Sequence, residues 1–142
     1  MAAALRDQLP SLRVEILDAP ATAMGWRTLG ADLERRRPAH VGLGEEAVSC
    51  LEGLRLARLA KQLGATVIAG GCFFGHVAPQ AVGTGLIDVV VQGEGEQTIA
   101  ELVQALRSGP RANLRAVNGI TFADGEQIVT TPRRPLLPDL DR

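Results

Sequence analysis

The chain has 142 residues, 46% apolar and 22% charged, a globular composition with room for one core and too short for two ordinary domains. A formal net charge of -1 offers no general attraction to nucleic acid or an anionic membrane, and no apolar run approaches the roughly 18 residues of a membrane span. The opening Met1-Ala2-Ala3-Ala4-Leu5-Arg6-Asp7 lacks the order of a signal peptide, and Cys50 and Cys72 form neither a disulfide framework nor a Cys-x-x-Cys pair. A cytoplasmic location and buried, packing cysteines are therefore expected.

In chain order, residues 2–9 read as helix, and residues 13–17, Arg-Val-Glu-Ile-Leu, as the first strand. A helix over about 24–37 is stopped by Pro38. Residues 39–43 form the next strand. The best helix runs from Glu45 or Glu46 to Leu63, with Ala47, Cys50, Leu51, Leu54 and Ala57 on one stripe and Gly64 as its stop. Residues 65–69 and 87–91 are buried strands with a short helix at 79–82 between them. Residues 97–106 form a further helix, with Thr98 and Glu101 at capping-box spacing. Beyond Pro110, residues 119–122 and 127–130 flank Ala123-Asp124-Gly125-Glu126, which predicts a hairpin with Asp-Gly at its turn. Residues 132–142 are proline-rich and read as an extended linker.

Alternating strands and helices predict an α/β fold, a flavodoxin-like (Rossmann-like) doubly wound parallel sheet lacking its first strand, with a C-terminal β-hairpin appendage. The expected units are residues 1–112 for the α/β domain, 113–131 for the hairpin and 132–142 for the linker. In the flavodoxin-like order the absent strand is central. Either residues 13–17 pair directly with residues 39–43, or a partner chain supplies a strand, and homodimerisation through exposed sheet edges is one outcome.

Ligands of open parallel sheets bind outside the carboxyl ends of the strands. Three glycine-bearing loops fall there: Gly42-Leu43-Gly44-Glu45-Glu46, Gly70-Gly71-Cys72-Phe73-Phe74-Gly75-His76, and Gln92-Gly93-Glu94-Gly95-Glu96-Gln97-Thr98. Each puts glycine where the backbone turns sharply or a ligand approaches closely. The third loop lacks the last glycine of a dinucleotide fingerprint, and its carboxylates would repel a pyrophosphate; Glu96 serves equally as a helix cap. No nucleophile elbow occurs, His40 lies at the wrong end of its strand for a ligand, and His76 lies on the rim. Trp26, Phe73 and Phe74 read as anchors.

These stretches resemble the cobalamin-binding domains at the N-terminus of cobalamin-dependent radical-SAM enzymes. The likeness is carried by residues 67–71, Val-Ile-Ala-Gly-Gly, by residues 87–98, ending Gly93-Glu94-Gly95-Glu96-Gln97-Thr98, by Val117-Asn118-Gly119-Ile120, and by Pro132-Arg133-Arg134-Pro135 with Asp139-Leu140-Asp141. The resemblance implies cobalamin over the carboxyl rim, its nucleotide tail beside Gly70 and Gly71 and its corrin near Gly42, Leu43, Gly44 and Glu45 and near Gly93, Glu94, Gly95 and Glu96; Cys72, Phe73 and Thr98 complete the expected site. The pattern Asp-x-His-x-x-Gly is absent, and Gly42-Leu43-Gly44 stands where the family has Ser-x-Leu, so cobalamin is expected without a histidine ligand from this chain. No Cys-x-x-x-Cys-x-x-Cys occurs, so no iron–sulfur cluster is expected here and a radical-SAM catalytic domain, fused or separate, is the implied partner. The rival expectation is an interaction or scaffold domain, or a truncated fragment, that keeps the fold without the cofactor.

Overall fold

The structure is a computed structural model that describes residues 1–44, 49–109 and 113–135. Its elements run α1 (Ala2–Gln8), α2 (Trp26–Arg36), β1 (His40–Gly44), α3 (Cys50–Gln62), β2 (Thr66–Gly70), α4 (Gly71–His76), α5 (Ala78–Gly83), β3 (Val89–Val91), α6 (Glu96–Arg107), β4 (Ile120–Asp124) and β5 (Gln127–Thr130). The five strands form one sheet in the order β1-β2-β3-β4-β5. β1, β2 and β3 are parallel, with Gly42 opposite Ile68 and Ile68 opposite Val89. The hairpin is appended to the sheet itself: β4 runs antiparallel beside β3, with Val91 opposite Ile120, and β5 returns beside β4. The mixed α/β sheet thus carries helices on both faces.

Successive strand residues point to opposite faces, which sorts the apolar runs into two cores. Val67, Ala69, Phe74, Ile87 and Val90 pack with Ala57 and Ala60 of α3 on one face. On the other, Ile68, Val89, Val91, Ile120 and Phe122 pack with Leu102 and Val103 of α6, joined by Leu5 and Leu9. β2 and β3 are buried on both sides, hence their unbroken Val/Ile/Ala sequence. Their edge is tied to α3 by Asp88, whose carboxylate accepts from Lys61 Nζ at 2.6 Å and from the Val67 amide at 2.7 Å.

Three expectations are corrected. Residues 13–17 form no strand and do not pair with β1, which has β2 as its sole neighbour among the described residues; Glu15 is instead drawn into ion pairs with Arg13 and Arg36. The glycine-rich stretch after β2 is not a loop: helix α4 begins at Gly71. Thr98 caps nothing, because α6 starts at Glu96 and places Thr98 inside its first turn, fully buried. The predicted helix start at Glu45 or Glu46, Ala47 on its stripe, and the linker beyond Pro135 lie outside the described residues.

Candidate functional site: a cleft at the carboxyl rim

At the carboxyl ends of β2 and β3 the chain turns twice through left-handed glycines, Gly71 at φ +89° and Gly93 at φ +69°. Such values suit glycine because a side chain would clash with its own backbone. Between the turns opens a cleft of about 460 Å³, walled by Gly71, Cys72, Gly75 and His76 of α4, by Gln92, Gly93, Glu94 and Gln97, and by Arg133, Arg134 and Pro135. The third wall, an extended strap leaving β5, comes from the segment predicted to be a linker.

Arg134 pins that strap. Its guanidinium donates from Nε to Thr98 Oγ1 at 3.2 Å and from Nη1 to Gln97 Oε1 at 3.4 Å, and Nη2 pairs with Glu101. Thr98 Oγ1 in turn donates to the Asn118 carbonyl. Next door, the Gly119 amide donates to the Pro132 carbonyl at 2.8 Å, and the Gly119 carbonyl accepts from the Gln92 amide at 2.8 Å. Gly119 is at φ +78°, and a Cβ there would come within 3.3 Å of Thr98 Oγ1, so this junction needs glycine for both backbone and space. One polar atom is left over: Gln92 Oε1 is buried and has no hydrogen-bond partner. A buried acceptor without a donor costs about 1–3 kcal/mol.

Of the residues expected at the site, the cleft gathers Gly71, Cys72, Gly93 and Glu94, and His76 joins them. Cys72 is exposed rather than packed. Gly42, Leu43, Gly44 and Gly70 line a neighbouring, more apolar cleft of about 420 Å³, whose outer wall is residues 12–17. Gly95 is buried between the two, against the Met1 side chain, which also reaches Gly70. Glu96 faces the Met1 amino group at 3.8 Å. Phe73 packs edge-to-face on Phe74 with ring centres 5.4 Å apart, half-buried against the core. Thr98 holds the strap from beneath, and Glu45 is outside the described residues.

Sequence reasoning placed Gln92 in the third rim loop without giving it a role of its own, and missed Arg133 and Arg134 as site residues. Gln92 was readable as the first polar residue after a wholly apolar strand; the arginines gave no local signal, because a hairpin returns them to the rim. His40, at the opposite end of the sheet, has an unpartnered buried Nδ1. Burial first, and then the positive charge of Arg107, hold its pKa below 6.5. Among the described residues no group of three or more His, Cys, Asp and Glu side chains is gathered for a metal ion, and no helix is long and apolar enough to cross a membrane.

No protein-family model matches the chain. It is 34% identical over 112 residues to the anaerobic magnesium-protoporphyrin IX monomethyl ester cyclase of Rubrivivax gelatinosus, covering 75% of this chain and 20% of that protein. It is 28% identical over 134 residues to an uncharacterized methyltransferase of Pyrococcus horikoshii, covering 90% of this chain and 28% of that one. Among solved structures, the radical S-adenosylmethionine methyltransferase TsrM of Kitasatospora setae, with cobalamin and a [4Fe-4S] cluster bound, matches with a TM-score of 0.76 at 22% identity, over 99% of this chain and 27% of that one. The cobalamin-dependent S-adenosylmethionine radical enzyme OxsB, with aqua-cobalamin and S-adenosylmethionine bound, matches with a TM-score of 0.74 at 19% identity, over 95% and 19%. The chain spans 28% or less of the length of each of these proteins. The chain thus has the α/β fold of the matched parts of TsrM and OxsB, and over 112 residues its sequence is similar to that of the cyclase.

Proposed function

We propose that the chain is a cobalamin-binding module that works with a radical-SAM catalytic domain, fused or separate, in methyl transfer or related radical chemistry. The observation that carries this reading is the orphaned Gln92 Oε1 in the rim cleft. The corrin ring is edged with primary amides, and their N–H groups are the kind of donor this acceptor lacks. Room at the rim agrees: a Cβ added at Gly42, Gly44, Gly75 or Gly93 would meet nothing within 4 Å, so a broad macrocycle can approach the backbone closely. Bound cobalamin supplies cobalt–carbon bond chemistry, which the protein need only position. In this reading Gln92 accepts from a corrin amide, the α4 face and Gly93 receive the ring edge, and the strap at Arg133–Pro135 limits solvent access. The cobalt takes no histidine ligand from this chain, and the iron–sulfur cluster belongs to the catalytic domain.

Purified protein mixed with hydroxocobalamin and then desalted should retain corrin absorbance; folded protein that emerges colourless refutes the reading. Gln92→Leu should weaken retention about tenfold, the value of one such hydrogen bond, while leaving the stability of the free protein unchanged or raised, since it removes an unsatisfied buried group. The second reading is an interaction or scaffold domain that keeps the fold alone. It is favoured by Met1, whose side chain fills the space between Gly70 and Gly95.

A further inference from the structure

Along β1, Val41 and Leu43 pack toward α3, so His40, Gly42 and Gly44 share the opposite face. A Cβ at Gly42 or Gly44 would meet nothing within 4 Å. The result is a slot of about 420 Å³ running down the sheet from the carboxyl rim to His40, with Ile68, Gly70 and Val91 beside it and residues 12–17 as its outer wall. Local turns tie both ends of that segment: the Leu12 amide donates to the Leu9 carbonyl at 2.8 Å, and the Thr22 amide to the Asp18 carbonyl at 3.1 Å. Between the turns, among the described residues, no backbone group of residues 13–17 bonds to another backbone group. Side chains at the surface hold the segment instead. Arg6 donates to the Val14 carbonyl at 3.0 Å, and Glu15 pairs with Arg13 and with Arg36, itself bound to Asp32. Leu12 and Val14 are half-buried, while Ile16 and Leu17 are exposed. Exposed polar contacts of this kind are each worth little in water, so the segment can lift without unfolding the sheet.

His40 lies at the foot of the slot, its Nδ1 buried and without a hydrogen-bond partner. The charged groups around it are Arg107 of α6, Arg13 and Glu15 of the segment, Arg36 of α2 behind Glu15, and Arg6 of α1 on the Val14 carbonyl. Glu15 is already shared by two arginines, so it does not offset Arg107. Burial first, and then Arg107, keep the imidazole below its ordinary pKa of 6.5 while the segment is down. Once the segment lifts, the ring meets water and takes up a proton more readily, so acid favours the lifted state. We propose that residues 12–17 are a hinged flap over the β1 slot and that protonation of His40 opens it. Opening bares the floor of Gly44, Gly42 and His40 along its length. The slot shares no lining residue with the rim cleft, and opening needs no ligand, so the proposal stands or falls independently of cobalamin.

The test is limited trypsin digestion of the 142-residue chain from about pH 7.5 to about pH 5.5, a range that spans the ordinary histidine pKa. The rate of cleavage after Arg13 is divided, at each pH, by that of the matching free peptide of residues 9–18, which removes the pH dependence of the protease. Cleavage after Lys61, inside α3, reports global unfolding. Arg13 should be cut well before Lys61, and its normalised rate should rise as pH falls. His40→Leu and His40→Asn should each abolish that rise, and the second keeps the test informative if leucine disturbs the slot. Glu15→Gln should raise the normalised rate about two- to fivefold at about pH 7.5 and retain the rise. Cleavage after Arg13 no faster than after Lys61, a wild-type rate that ignores pH, a rise that survives both His40 variants, or no effect of Glu15→Gln overturns the proposal.

Discussion

Replacing Arg134 with alanine removes the contacts that hold the strap on α6. The ion pair with Glu101 joins a mostly buried guanidinium, 19% exposed, to a carboxylate that is 49% exposed, so solvent screening leaves it about 0.5–1 kcal/mol. The bond to Thr98 Oγ1 at 3.2 Å adds about 1 kcal/mol, and the 3.4 Å contact with Gln97 adds little. Thr98 is not orphaned by the change, because it still donates to Asn118. The expected loss is therefore about 1–2 kcal/mol, concentrated in local opening of the strap rather than in global unfolding. Trypsin reads this directly: it cuts after Arg133 and not between Arg134 and Pro135. Cleavage after Arg133 should accelerate about tenfold in Arg134→Ala, and less in Arg134→Lys, while the denaturant midpoint moves little. An unchanged cleavage rate would refute the clamp. So would a fall in global stability of more than about 3 kcal/mol, which would make Arg134 part of the core framework.

His40 predicts a pH effect. Its folded pKa is held below 6.5, so the unfolded chain takes up the proton first as pH falls; stability is complete above pH 6.5 and declines as pH drops toward the folded pKa. Denaturant melts across that range should show the decline in the wild type, and His40→Leu should remove it. Gly119 predicts a contrast with Gly85. Both have positive φ, but a Cβ at Gly119 would crowd Thr98 Oγ1 and one at Gly85 would meet nothing within 4 Å. Gly119→Ala should cost about 2–3 kcal/mol and Gly85→Ala about 1 kcal/mol; equal losses in equilibrium unfolding would refute the packing argument.

The parallel part of the fold was legible because burial on both faces leaves an unmistakable apolar signature at Val67-Ile68-Ala69 and Val89-Val90-Val91, and because Gly64 and Pro38 mark helix ends by backbone geometry. Residues 13–17 misled for the same reason: their composition suits a strand, but pairing is a tertiary decision, and ion pairing of Glu15 with Arg13 and Arg36 holds the segment elsewhere. Gly70-Gly71 looked like a loop because glycine disfavours helix, yet Gly71 can open α4 from a left-handed turn at no steric cost. One wall of the cleft, Arg133, Arg134 and Pro135, was hidden in principle. Arg133 and Arg134 reach the cleft only through the hairpin's register, which is not a local property of either residue.

That register has a consequence of parity. Strands β2 and β3 end at the rim, β4 sets out from it opposite Val91, and β5 comes back, Thr130 lying opposite Thr121. A single added strand would have delivered the chain to the far end of the sheet, where the parallel strands begin; a pair delivers it to the mouth of the cleft. Residues 132–135 are therefore threaded past the mouth by topology before any side chain is chosen, and Arg134 only fixes how tightly they lie there.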